Sequence, residues 1–210
     1  DPDLPRNRYL FNRSGLLNLT NLVKPAKDVQ LRANISYLMD NQRQDYRRLS
    51  EVYLPGDTIR YTELQHNKRR PDILHSQLAV NVNKDKYFLN ESLTTDYGRN
   101  TAYSALISNG TPVNQVFKDN LLDLSNEFNL MQTFKTNNII EVYSYINRTA
   151  EPEDRVISPG LNPDIFNHNA PYAQLVQNVN VPSWFTNNYL TYRIPGQYVT
   201  QSYKTGFSLQ

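Results

Sequence analysis

Apolar residues recur at spacings of three, four or eight positions between residues 26 and 53, and this spacing strongly restricts how the chain can fold. Side chains at that spacing return to one side of an α-helix, so the pattern predicts an amphipathic helix over about residues 26–53. Pro55, Gly56 and Asp57 follow as turn residues that would end it. Such a helix would be about 40 Å long, and helices of that length often take part in assembly. The predicted apolar stripe consists of Leu31, Ile35, Leu38, Tyr46, Leu49 and Tyr53.

A second apolar stripe predicts another amphipathic helix over about residues 112–134. Thr111 is suited to cap its amino end, and Pro112 to occupy its first turn. Short strands are expected elsewhere, at 58–64 and 139–146, where β-branched and aromatic residues are concentrated. Together these elements predict the α+β fold class. The stripe consists of Val113, Val116, Phe117, Leu121, Leu124, Phe128 and Met131.

The distribution of proline and charge divides the chain into three parts. Residues 1–14 are expected to form an extended arm, and residues 15–150 the α+β core. Residues 151–210 are expected to form a proline-rich loop followed by an extended arm or β-layer, and the alternative is one domain overall. Residues 161–210 carry only Arg193, Lys204 and Asp164 as charged side chains. So neutral a segment is expected to pack on the domain or to be covered by a partner.

The neutral C-terminal region is also rich in aromatic residues. Tyrosine and tryptophan combine a large contact area with a polar tip and are enriched in protein interfaces. They are therefore predicted to be interface residues, against the alternative that they form a β-layer on the chain's own domain. The predicted interface residues are Trp184, Phe185, Tyr189, Tyr192, Tyr198 and Tyr203.

The sequence carries no recognisable catalytic motif. The chain has no cysteine and only three histidines, His66, His75 and His168, which stand in no hydrolase or metal-binding spacing. Seven glycines form no phosphate-binding loop. We therefore expect no enzymatic activity, no catalytic residues, no metal site and no cofactor. No apolar run reaches the roughly 18 residues of a membrane-spanning helix, so no membrane span is expected.

Basic residues cluster on either side of the Pro55–Asp57 turn and predict a basic patch. Lysine and arginine clusters are typical of phosphate-backbone contacts, so nucleic acid is a candidate partner. Acidic residues at helical pair spacing, such as Asp45 and Glu51, compete for the same charges. The predicted patch consists of Arg43, Arg47, Arg48, Lys68, Arg69 and Arg70.

These observations favour a non-enzymatic structural or assembly protein, most plausibly a component of a virus or phage particle that contacts its neighbours through its arms. Its expected partners are copies of itself and neighbouring structural proteins. The sequence does not give a location; a particle component would be located in the virion. The pentapeptide from Leu54 to Thr58 resembles a phrase in the capsid proteins of small single-stranded DNA phages, a resemblance that covers five residues. The alternatives are an extracellular or periplasmic glycan-binding module that uses tyrosine, tryptophan and asparagine, and, third, a nucleic-acid-contacting protein.

Overall fold

A computed structural model describes residues 10–210, which form nearly all antiparallel β-sheet. Ten strands contribute to one sheet, and the described residues contain one helix, of four residues. The strands are β1 Leu10–Ala26, β2 Val29–Leu54, β3 Asp57–Lys84, β4 Tyr87–Ser108, β5 Thr111–Thr133, β6 Ile139–Ala150, β7 Glu153–Ser158, β8 Leu175–Val179, β9 Ser183–Pro195 and β10 Thr200–Leu209, and the helix is α1 Pro163–Phe166.

The sheet is an antiparallel meander in which β1 to β5 each pair with the next strand along the chain, as do β7 with β8 and β9 with β10. β6 and β7 both pair with β5 in one register. On their other side, β9 pairs with β6 and β8 pairs with β7, again in one register. β6 with β7, and β8 with β9, therefore behave as two long interrupted strands. Residues 159–174 connect them and contain α1.

The turns lie at two ends of the sheet. At the first, which we call the proximal end, residues 27–28, 85–86, 134–138 and 196–199 connect the strands. At the other, the distal end, Asn109 and Gly110 join β4 to β5 with φ angles of 47° and 81°. Positive φ at both central residues is the geometry of the tight hairpin turn that Asn-Gly favours.

The predicted α+β fold class is wrong, because both predicted amphipathic helices are strands. Residues 29–53 of the first lie in β2, and residues 112–133 of the second lie in β5. In β2, Leu31, Ile35 and Leu38 fit helical spacing, but Leu31, Ala33, Ile35, Tyr37 and Met39 also alternate with the period of a strand. The hairpin register on both sides of β2 satisfies its backbone hydrogen bonds between strands.

In the described residues, all three predicted parts of the chain contribute to one continuous sheet. The first nine residues of the predicted arm, 1–9, lie outside them, and residues 10–14 begin β1. Residues 151–210 contribute β7 to β10 and the long connection. The expected strands at 58–64 and 139–146 are present within β3 and β6.

The sheet is a single layer with very little interior. Ala79 is the one buried hydrophobic residue among those described, and no side chain there is fully enclosed. The solvent-accessible surface is 15093 Å², whereas a compact monomer of 24.4 kDa exposes about 10,000 Å². The fold therefore leaves a large area that a globular protein of this size would bury.

Candidate functional site

The strand register assigns every residue of the sheet to one of two faces. Paired residues on neighbouring strands point to the same side, and consecutive residues of a strand point to opposite sides. Leu31 therefore shares a face with its partners Val23 and Val80, while Arg32 shares the other face with Ala79. We call the first the apolar face and the second the polar face.

The apolar residues are concentrated in the proximal half of the apolar face. Nine consecutive positions of β2 to β5, residues 29–37, 74–82, 89–97 and 122–130, lie side by side in register. They place twenty side chains on the apolar face and sixteen on the polar face. Sixteen of the twenty are aliphatic or aromatic, whereas on the polar face only Ala79, one of the sixteen, is. We call these twenty apolar-face positions the apolar band.

The members of the apolar band form five rows that cross the four strands. From the proximal end, the rows are Val29, Val82, Leu89 and Leu130; Leu31, Val80, Glu91 and Phe128; Ala33, Leu78, Leu93 and Asn126; Ile35, Ser76, Thr95 and Leu124; and Tyr37, Leu74, Tyr97 and Leu122.

Much of the apolar band is open to solvent. Leu78 is 52% exposed and its cross-strand partner Leu93 is 38% exposed. The same surface continues on β1 with Leu17 and Leu19, which are more than half exposed. Glu91 is the one charged residue in the band, and its carboxylate accepts a hydrogen bond of 3.4 Å from Asn126. Exposed apolar surface that extends over several strands is typical of interaction surfaces.

The polar face at the same level is built from hydrogen-bonded polar side chains. His75 Nδ1 lies 2.6 Å from Asp96 Oδ1. On the next strands, Asn147 and Thr149 donate to the Asp123 carboxylate at 2.8 and 2.9 Å. Polar side chains that find partners within the sheet, or water, need no other covering. The polar face can therefore remain in water, whereas the apolar band leaves apolar side chains uncovered.

Tyrosines on β6 and β9 stack on the polar face. The rings of Tyr143 and Tyr189 lie 4.8 Å apart, and Lys204 Nζ lies 3.6 Å from the Tyr189 ring centre. Partial burial raises the pKa of both phenols. The charge of Glu127 adds to this effect at Tyr143, and that of Glu141 does so at Tyr189. Both tyrosines are thus held neutral over the physiological range.

Asp40 lies further along β2 on the polar face. Burial alone would raise its pKa, but hydrogen bonds from Gln42, Ser14 and the Asn41 backbone N–H hold that pKa below its ordinary value. The carboxylate is stabilised in its charged form within a polar network.

Tyrosines lie at both borders of the apolar band. Tyr37 and Tyr97 belong to its last distal row, and Tyr87 lies one step beyond its first proximal row, opposite Lys84. On the neighbouring strands, Tyr192 and Tyr203 pair with each other at this same proximal level. Arg99, Arg70 and Lys118 follow beyond the distal row. The band is thus bounded by amphipathic and charged side chains along the strands.

A cleft of 810 Å³ lies on the distal half of the apolar face. Its lining includes Arg43, Lys68 and Tyr103. The Asp45 carboxylate there receives hydrogen bonds of 2.7 Å from both His66 Nδ1 and Arg43 Nε. The hydrogen bond from His66, followed by that from Arg43, holds the pKa of Asp45 below its ordinary value of 3.8. This half of the face is charged and hydrogen-bonded, in contrast to the band.

The six predicted interface aromatics are divided by the sheet. Trp184, Tyr192 and Tyr203 lie on the apolar face, Phe185 and Tyr189 lie on the polar face, and Tyr198 lies in the turn at residues 196–199. Trp184 is 58% exposed, and the guanidinium of Arg148 lies 5.4 Å from its ring centre. Their role as interface residues stays a prediction.

The predicted basic patch is also divided between the faces. Arg43, Arg47, Lys68 and Arg70 share the apolar face, with Arg43 and Lys68 directly paired, whereas Arg48 and Arg69 share the polar face. Arg69 donates a 3.0 Å hydrogen bond to the side chain of Asn100. Sequence reasoning missed Arg99 and Lys118, which the meander brings close to Arg70 on the apolar face.

Residues 10–210 contain no cluster of three or more histidine, cysteine or acidic side chains suited to a metal ion. Within the same described part of the chain, no helix is long and apolar enough to cross a membrane. The fold and its surfaces define a class: a single-layer antiparallel meander with one polar face and one face carrying an apolar band. No protein-family model matches the sequence, and no curated protein matches it at a significant level.

Proposed function

We propose that this chain is a non-enzymatic structural protein whose sheet serves as a wall element and becomes fully covered only within a larger assembly. One observation carries the proposal: the apolar band is exposed in a sheet that has almost no interior of its own. The sheet exposes roughly 5,000 Å² more than a compact monomer of its mass would. Obligate interfaces bury areas of this order.

The composition of the apolar band supports a structural role. Sixteen of its twenty members are aliphatic or aromatic side chains held at fixed positions by strand pairing, and such groups contribute contact area rather than chemistry. Burying apolar surface is worth roughly 25 cal/mol per Å². Covering even a fraction of the excess area would therefore provide a large driving force for association.

The setting predicted from the sequence, a virus or phage particle with copies of the chain and other structural proteins as partners, stays a prediction within this class. The glycan-binding alternative finds less support. The Tyr189 ring packs against Tyr143 and lies beneath Lys204, so it has little free surface for stacking on a sugar. The nucleic-acid alternative would use only those predicted basic residues that share one face.

The proposal is tested by light scattering coupled to size-exclusion chromatography of the full chain in buffer without amphiphiles. We expect association that increases with protein concentration. Leu78→Asp, which places a charge in the apolar band, should weaken it. Gln77→Asp is the matched control on the polar face, and association should be retained. A compact monomer at every concentration would overturn the proposal, as would equal effects of the two variants.

A further inference from the structure

We infer that the apolar band is covered by the hydrocarbon chains of a lipid bilayer, with the distal half of the sheet in water. This inference rests on the proposed function and names the partner of the same surface. The length of the band matches the thickness of a bilayer's hydrocarbon layer. The band is nine residues long in each of four neighbouring strands, and a tilted strand needs about 9–11 residues to cross the roughly 30 Å hydrocarbon layer.

The side chains at both borders of the band suit a membrane–water interface. Tyrosine rings favour the level of lipid headgroups, where the ring is partly buried and the hydroxyl meets water. Tyr37 and Tyr97 lie at the distal border, and Tyr87, Tyr192 and Tyr203 at the proximal border. A protein partner would require no such placement at both borders of one band.

Cations lie beyond both borders of the band. On the apolar face, Arg99 follows two residues beyond the distal tyrosine row, and Arg70 and Lys118 follow four residues beyond it. At the proximal border, Lys84 is paired with Tyr87. Cationic side chains at these levels can reach lipid phosphates while their methylene stems lie along apolar surface. Charge is therefore placed on either side of the band.

The strands extend unequally beyond the two ends of the band. At the proximal end, β3 and β4 turn at residues 85–86, close to the edge of the band. At the distal end, β2 continues from residue 38 to Leu54, which adds about 55 Å of extended chain. The added apolar-face segment includes Arg43, Asp45 and Arg47. Such a sheet suits a layer of fixed thickness with water beyond it.

The single tryptophan provides a direct test. Trp184 lies on the apolar face at the level of the Ile35 row, because it pairs with Arg148, which pairs with Leu124. The full chain is refolded with vesicles of neutral phosphatidylcholine, and with vesicles whose acyl chains carry bromine. We expect a blue-shifted Trp184 emission and strong quenching by the brominated chains. Unchanged emission in vesicles would overturn the inference.

A matched pair of variants connects the result to the apolar band. Leu93→Asp places a carboxylate in its central row, and Thr94→Asp places the same group at the adjacent position on the polar face. We expect Leu93→Asp to reduce the vesicle-bound fraction about tenfold or more, and Thr94→Asp to leave it near that of the parent chain. Equal loss in both variants would contradict the inference.

The outcomes separate this inference from the proposed function. Self-association in buffer without vesicle binding would identify a second copy of the chain as the occupant; the inference would fail and the proposed function would stand. A compact monomer with no vesicle binding would overturn both. Repeating the binding with anionic phosphatidylglycerol vesicles tests the cations, and we expect tighter binding that weakens as salt is raised.

Discussion

At the scale of single residues, the apolar face changes character within a few positions along β2. Tyr37 ends the apolar band, and Asp45 lies eight residues further on the same face, within hydrogen-bond distance of His66 and Arg43. All three side chains are partly or largely exposed. Exposed ion pairs contribute little, about 0.2–1 kcal/mol, so this cluster adjusts stability rather than determining the fold.

The lowered pKa of Asp45 predicts a pH-dependent contribution to stability. A carboxyl whose pKa is lower in the folded state stabilises the fold above its ordinary value of 3.8, and this stabilisation is lost as pH falls through the lowered value. Asp45→Asn should therefore cost about 0.2–1 kcal/mol near pH 5.5, with the difference from the parent chain shrinking towards pH 3. The measurement is urea unfolding followed by Trp184 fluorescence.

Arg47→Gln, on the same strand and face, is the control and should keep the parent's acid dependence. A cost of Asp45→Asn that does not change with pH would contradict the prediction.

At the scale of elements, the hairpin of β2 and β3 is the longest, and its distal part extends beyond its neighbours. Ser108, the last residue of β4, pairs with Glu63, so residues 57–62 of β3 extend past β4. Within the part of the chain that the structure describes, residues 57–61 pair only with β2, and Thr62 is bonded to Asn109 at the neighbouring turn. Two-stranded ribbons are marginally stable in water. The segment is therefore expected to open more readily than the wider sheet.

Limited trypsin digestion tests this local difference in stability. Arg60 lies in the two-stranded part, whereas Arg99 lies on β4 between β3 and β5, and both side chains are exposed. Cleavage requires local opening, so we expect it after Arg60 well before cleavage after Arg99. Mass spectrometry of early digestion products identifies the order. Arg60→Gln removes the site without changing the strand, and early cleavage at Arg99 in the parent chain would contradict the prediction.

The same elements show how much of the fold could be predicted from sequence. The strands at 58–64 and 139–146 were predicted correctly, because β-branched and aromatic residues are concentrated there. β2 and β5 were not predicted as strands, because their apolar residues fit both the helical spacing and the alternation of a strand. Leu38 is on the polar face, yet at sequence level it completes a helical stripe with Leu31 and Ile35. Strand pairing resolves this ambiguity, and it depends on residues distant along the chain.

The candidate site was only partly predictable for the same reason. Trp184, Tyr192 and Tyr203 were selected for their chemistry, and all three lie on the apolar face. The apolar band was missed because its members alternate with polar residues and lie on different strands, so no continuous apolar run marks them. The expectation of no membrane span rested on the absence of such runs, a criterion suited to helices.

At the scale of the whole molecule, stability must depend on what surrounds the sheet. Hydrophobic burial is the main force that offsets the conformational entropy lost on folding, and the described sheet has one buried hydrophobic residue. Backbone pairing across 28-residue and 26-residue strands orders the chain, but each hydrogen bond contributes only about 1 kcal/mol net. A covered apolar band would supply the missing burial.

This dependence predicts that molecules able to cover the apolar band raise the stability of the folded chain. A molecule that binds the folded sheet and not the unfolded chain, at a hundred times its dissociation constant, adds about 2.7 kcal/mol. We therefore expect the urea midpoint to rise when a neutral detergent passes its micelle-forming concentration. Below that concentration it should change little. Leu78→Asp should lose most of the rise because Leu78 is 52% exposed within the band, whereas Gln77→Asp should retain it. If the urea midpoint does not change with detergent, the exposed leucines do not limit the stability of the sheet. The prediction that the apolar band must be covered would then be wrong.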